Sequence, residues 1–118
     1  MDYKIVEKMN KKYIEINQEI NTEDDVLDII GICMSNDTKL LVLREGAFSE
    51  KFINLKSGLA GIVLQKFINY HIKVSAIIED EFKNNKRFQE LVYELNKSNN
   101  FKVFNNSVSA VNWILGNN

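Results

Sequence analysis

Leu40-Leu41-Val42-Leu43 is apolar at every position, and a second, largely apolar strand follows at residues 72–78. A strand that is apolar on both alternating faces has to be covered on both. Between the two runs, Ser57 opens a helical pattern that lasts to about Tyr70. Two buried strands joined by a helix run parallel through a right-handed crossover. That order places a Ser-Gly helix start just past the end of a buried strand. Backbone N–H groups gather at such an edge and can receive an anion, a ligand or a partner.

The rest of the chain extends this unit. Residues 3–7 and 12–16 alternate apolar and polar, with Asn10 and Lys11 between them, which predicts a hairpin. Thr22 precedes Glu23, Asp24 and Asp25. Thr22 is expected to cap a helix, with Asp25 in the capping-box position and three acids at the positive end of the helix dipole. Val26, Ile29, Ile30, Cys33 and Met34 carry that helix to about Ser35, and Asn36 and Asp37 end it.

Residues 44–54 read as irregular, with one helical turn near 49–53, and residues 79–85 as a polar connection. Phe88, Leu91, Val92 and Leu95 mark a further helix, with Glu90 and Glu94 on its wet side. Phe101–Phe104 is a short strand, and Ser107 is expected to cap a last helix closed by Gly116. The order is β-β-α-β-α-β-α-β-α. It predicts an α/β fold: a five-stranded, mostly parallel sheet with an opening antiparallel hairpin and about four helices. Without proline, repeat or linker, residues 1–118 read as one domain.

Composition narrows the function classes. Fifteen basic residues against 16 acidic ones give a net charge of −1. A dedicated nucleic-acid binder needs a phosphate-neutralising excess, so none is expected. Only Arg44 and Arg87 among the bases are arginine, which leaves bidentate readout poorly supplied. The single Cys33 cannot form an internal disulfide, and its apolar helical setting predicts a buried thiol. The chain shows neither a charged-then-apolar leader nor an apolar run near the ~20 residues that span a bilayer, so a soluble, cytoplasmic protein without a membrane partner is expected.

Leu40–Leu43, SGLAGIVL at 57–64, KVSAII at 73–78 and FKVF at 101–104 together resemble the STAS domains typified by the SpoIIAA anti-anti-sigma factors. Such a domain shows a strand, a D-S-S-G-L-type helix start, an apolar helix and a strand. The spacing agrees from about Tyr3 to Leu115, and the strict motif match is Ser57-Gly58-Leu59. The longer string at 45–74 resembles a bacterial family of unknown function more closely. The resemblance to SpoIIAA implies a phosphorylated serine after the motif's aspartate. Leu55 and Lys56 stand in those two places, and a lysine makes no phosphoserine-type switch.

Each candidate group has two readings. Gly58 and Gly61 form a shallow stripe continued by Gln65 and Asn69, either a groove for a ligand or a site of close packing. Ser57 is either a helix cap or a hydroxyl at an anion site beside Lys56. Glu45, just past the third strand, is either a solvated acid or a binding or acid/base group, and Ser49 and Phe52 can form a lid over it. Lys83, Lys86 and Arg87 read as a solvated helix start. His71 lies at the far end of the helix that Ser57 begins, roughly 20 Å away, which excludes a Ser-His-acid triad. One histidine and one cysteine, without metal-binding spacing or a phosphate-binding glycine loop, predict no metal and no cofactor.

The expectation is a non-catalytic binding or regulatory module. It would act through Glu45, Ser49, Phe52, Lys56, Ser57, Gly58, Gly61 and Gln65 on a protein partner or a small anionic ligand. The alternative is a small enzyme with Glu45 and either Lys56 or Lys66 as acid/base groups. A structural subunit of a homo-oligomer is a third class, and a homodimer is compatible with the sequence.

Overall fold

Sequential strand order is the consequence of the repeated crossover. The computed structural model describes residues 1–79 and 86–116, without the side chain of Phe88. Five strands, β1 (Lys4–Lys8), β2 (Lys11–Ile16), β3 (Leu40–Leu43), β4 (Lys73–Ile77) and β5 (Phe101–Phe104), lie side by side in chain order. β1 and β2 are antiparallel, and every later pair is parallel. The helices are α1 (Glu23–Ser35), α2 (Glu50–Ile53), α3 (Leu59–Asn69), α4 (Lys86–Asn96) and α5 (Ser107–Ile114). This is the expected mixed sheet, with four longer helices and the single turn of α2.

When each strand is added beside the last through a right-handed crossover, the crossover helices must share a face. α1, α3 and α4 do so. Ile14, Leu41, Val74 and Phe101 form one row across the sheet, in register, and belong to the core that these helices cover. Phe67 of α3 and Phe101 of β5 meet there with ring centroids 6.4 Å apart. Each fully buried side chain of this size contributes roughly 1.5–3 kcal/mol.

α5 covers the opposite face alone. Tyr13, Val42 and Ile77 pack there against Ala110, Ile114 and Leu115. The buried Ser75 hydroxyl donates to the Ala110 carbonyl at 2.7 Å, which fastens the helix to the middle of the sheet. At the helix end, Lys11 Nζ donates to the Leu115 carbonyl at 2.6 Å and Lys73 Nζ to the Trp113 carbonyl at 2.8 Å. Two ammonium groups thus meet the negative end of the α5 dipole. Lys73 also lies 4.4 Å over the Trp113 ring. Burial, and then the charge of Lys11, lower its pKa.

Local signals are realised with three corrections. Thr22 and Asp25 form the expected reciprocal capping box. The hairpin turn, however, is Met9-Asn10, with φ of 56° and 63°, and Lys11 already opens β2. Asn106, not Ser107, caps α5, because its side chain reaches the Ser109 N–H at 2.8 Å. Ser57 closes a 3-10 turn (Leu55–Ser57), and Gly58 at φ 77° is the cap of α3. The left-handed region suits glycine, so the Ser-Gly pair resolves with the glycine at the junction. The polar connection at 79–85 and Lys83 fall largely outside the described residues.

Candidate functional site

The four parallel strands end at one edge, and the segments after them build the site. Arg44 N–H continues the ladder to the Ile16 carbonyl at 2.8 Å, and Ile78 N–H to the Phe104 carbonyl at 2.8 Å. Beyond these bonds the chain after β2 and the chain after β3 are fastened together. Asn17 Oδ1 accepts from Gly46 N–H at 2.8 Å. Ile20 N–H donates to the Ala47 carbonyl at 3.0 Å, and the Ser49 hydroxyl donates to the Ile20 carbonyl at 2.7 Å. The glycine at 46 is required: a Cβ there would lie 2.6 Å from both the carbonyl and the amide oxygen of Asn17.

Alternation separates the two charges that follow β3. Arg44 projects on the α5 face, where its Nε lies 3.2 Å from Glu15 Oε1 and its Nη1 3.3 Å from the Ser107 hydroxyl. Glu45 turns toward β4, and its Oε1 accepts the Glu79 N–H at 2.8 Å. Tyr13 lies under the Arg44–Glu15 pair. Burial raises its pKa first, Glu15 raises it further, and Arg44 opposes both.

Two open hollows meet here. One of about 590 Å³ is lined by Asp2, Lys4, Glu15, Asn17 and Arg44, among others. The second, of about 270 Å³, is lined by Asn17, Arg44, Glu45, Ile77 and Glu79. They share Asn17 and Arg44, so they form one shallow cleft along the carboxyl edge. Its charged lining is Asp2, Glu15, Glu45 and Glu79 against Lys4 and Arg44. The guanidinium is already paired, so a bound anion would compete with Glu15 and face an excess of carboxylates.

Glu45 lies at the carboxyl end of β3, as the sequence implies. The other proposed residues do not join it. Phe52 is fully buried, packed edge-on against Phe48 with centroids 5.0 Å apart, and Ser49 is a buried cap of α2. Neither can act as a lid, because both are part of the core. Ser57 donates to the Lys51 carbonyl at 2.6 Å and accepts from Leu59 N–H at 3.2 Å, which occupies the first donor of α3.

Lys56, Gly58 and Gly61 are exposed, and Gln65 bonds to Asn69 on the outer face of α3 at 2.8 Å. Nothing lies within 4 Å of a Cβ built on Gly61, so the stripe is not a close-packing site. Among the described residues, no hydrogen bond or ion pair joins Glu45 to Lys56 or Lys66. Sequence reasoning missed Glu15, Asn17, Arg44 and Glu79. The available signal was position alone: Asn17, Arg44 and Glu79 each follow a strand at the same edge.

Other chemistry finds little support. Cys33 is buried in the α1 core, and burial pushes its thiol up to about 12. A thiol held so far above neutral pH is not a nucleophile. Among the described residues there is no cluster of three or more metal-ligating side chains, and no helix is long and apolar enough to cross a membrane. Arg87 pairs with Glu50 at 2.5 Å and ties α4 to α2.

The chain belongs to the family described as Domain of unknown function (DUF4180), whose model matches residues 8–114. No curated protein and no solved structure matches it.

Proposed function

We propose that this chain is a non-catalytic, STAS-like binding module that docks a protein partner on the carboxyl-edge cleft around Asn17, Arg44, Glu45 and Glu79, in a regulatory role. The STAS-like part of the reading rests on the order of elements and on Ser57-Gly58-Leu59. With Leu55 and Lys56 ahead of that triplet, regulation does not run through the usual phosphoserine.

The observation that carries the reading is how the edge charges are held. Glu45 is fixed on the Glu79 amide, and Arg44 on Glu15 and Ser107. The result is a preorganised surface of mixed charge, which favours specificity toward a partner of complementary charge. The acidic excess favours a basic patch on that partner over a small anion. An acid/base enzyme needs two groups within hydrogen-bonding reach of one substrate atom. Glu45 has no such companion in Lys56 or Lys66.

Affinity capture from the cell that makes the protein tests this. Glu45→Gln keeps the acceptor for the Glu79 amide and removes the charge. The native chain should retain a discrete protein that the variant retains poorly. Equal retention by both, or turnover of a substrate by the native chain, would contradict the proposal.

A further inference from the structure

A strand at the end of a sheet exposes a row of unpaired backbone groups. β1 is such a strand, and among the described residues only β2 pairs with it. Its geometry shows which groups face outward. Met9 and Asn10, both at positive φ, make a two-residue hairpin turn of the type I′ kind. The flanking Lys8 and Lys11 then exchange hydrogen bonds, and alternation turns the backbone groups of Lys4, Val6 and Lys8 toward β2. Asp2 agrees, since its N–H reaches back to Gln18 Oε1 at 2.9 Å. The N–H and C=O of Tyr3, Ile5 and Glu7 therefore point away from the sheet.

The same edge is apolar where that is least expected. Ile5 is 49 % exposed and Tyr3 44 %. Both lie on the α1 side of the sheet, because Ile5 stands opposite Ile14.

We infer that this edge pairs with a second copy of the chain, β1 antiparallel to β1, centred on Ile5. The choice of register follows from charge. Outward-facing residues must meet outward-facing residues, and a two-fold axis normal to the sheet leaves few alternatives. Centring on Val6 sets Lys4 against Lys8 twice. Centring on Glu7 sets that acid against itself, and centring on Lys4 does the same for the lysine. Like charges directly opposite are destabilising.

Centring on Tyr3 also avoids this but pairs only residues 1–5, whereas centring on Ile5 avoids it over the full length of the strand. Ile5 then faces the partner subunit's Ile5, Tyr3 faces the partner subunit's Glu7, Lys4 faces the partner subunit's Val6, and Asp2 faces the partner subunit's Lys8. The edge lysines that guard against indiscriminate pairing select one register here. The product is a continuous ten-stranded sheet.

Sedimentation equilibrium over a wide concentration range, with three variants, tests the pairing. The native chain should show a reversible dimer of twice 13.7 kDa. Asp2→Lys should weaken dimerisation by about five-fold, and the double variant Asp2→Lys with Lys8→Asp should restore it. Ile5→Cys should give a covalent dimer under a mild oxidant, because directly paired Cα atoms lie about 5.5 Å apart. The buried Cys33 does not compete. A native chain that stays monomeric throughout would overturn the inference. So would a dimer that is indifferent to the charge exchange and does not cross-link through residue 5.

Discussion

The amide oxygen of Asn17 accepts the Gly46 N–H at 2.8 Å, and a Cβ on residue 46 would lie 2.6 Å from that oxygen. This contact locks the segment after β3 to the segment after β2 and so sets where Arg44 and Glu45 project. Gly46→Ala should force the two segments apart. The clash is partly with backbone, which cannot swing away, so the expected cost is ~1–3 kcal/mol. Urea unfolding of the native and variant chains measures it. An unchanged midpoint would mean that the segments are not held this way.

The two glycines at the start of α3 should respond in opposite directions. Gly58 sits at φ 77°, so Gly58→Ala is expected to cost roughly 1–2 kcal/mol although nothing crowds the new methyl. Gly61 is helical, exposed and open on its outer side. Gly61→Ala should therefore stabilise by ~0.5–1 kcal/mol through helix propensity. Thermal melts of the two variants give the signs. A destabilising Gly61→Ala would reveal a close neighbour at that face.

Cys33 gives a pH dependence. Its thiol ionises near 9 when exposed and is pushed up to about 12 by burial. Between these values the unfolded chain loses a proton that the native chain keeps. The native state is therefore favoured below about pH 9, and this contribution is lost as the pH rises toward 12, by at most ~1.4 kcal/mol per pH unit. Cys33→Ala removes it. The difference in stability between native and variant chains should shrink from pH 8 to 11, as read by urea melts. A constant difference would show that the thiol is not desolvated.

The sequence shows those parts of the fold that depend on near neighbours. Thr22 and Asp25 are three residues apart, and the capping box they make was legible. The apolar runs at Leu40–Leu43 and at β4 fixed the parallel core, and strand–helix alternation fixed the order. The junction at Ser57 and Gly58 was ambiguous because serine caps helices and glycine takes the left-handed region, and the two are adjacent. The helical turn at 49–53 was legible, but the burial of Ser49 and Phe52 was not. That burial depends on contacts such as the Ser49 bond to the Ile20 carbonyl, 29 residues away.

The site was legible only at Glu45. Its partners are distant in sequence: the bond to the Glu79 amide spans 34 residues, and that from Gly46 to Asn17 spans 29. No local pattern announces such contacts. Arg44 and Glu45 are adjacent yet bond on different sides, Arg44 to Glu15 and Ser107 and Glu45 to the Glu79 amide. The pairing of Arg44 with Glu15 depends on the register of β2 against β3, which sets Glu15 opposite Val42. That register is invisible to periodicity.

Photo-cross-linking in the cell that makes the protein tests the docking edge most directly. A photoreactive amino acid is placed at residue 79, beside the cleft, and separately at residue 65 on the outer face of α3. The account predicts a discrete protein adduct from residue 79 and none from residue 65. An adduct from residue 65 with none from residue 79 would move the functional surface to α3 and contradict the assignment of the carboxyl edge.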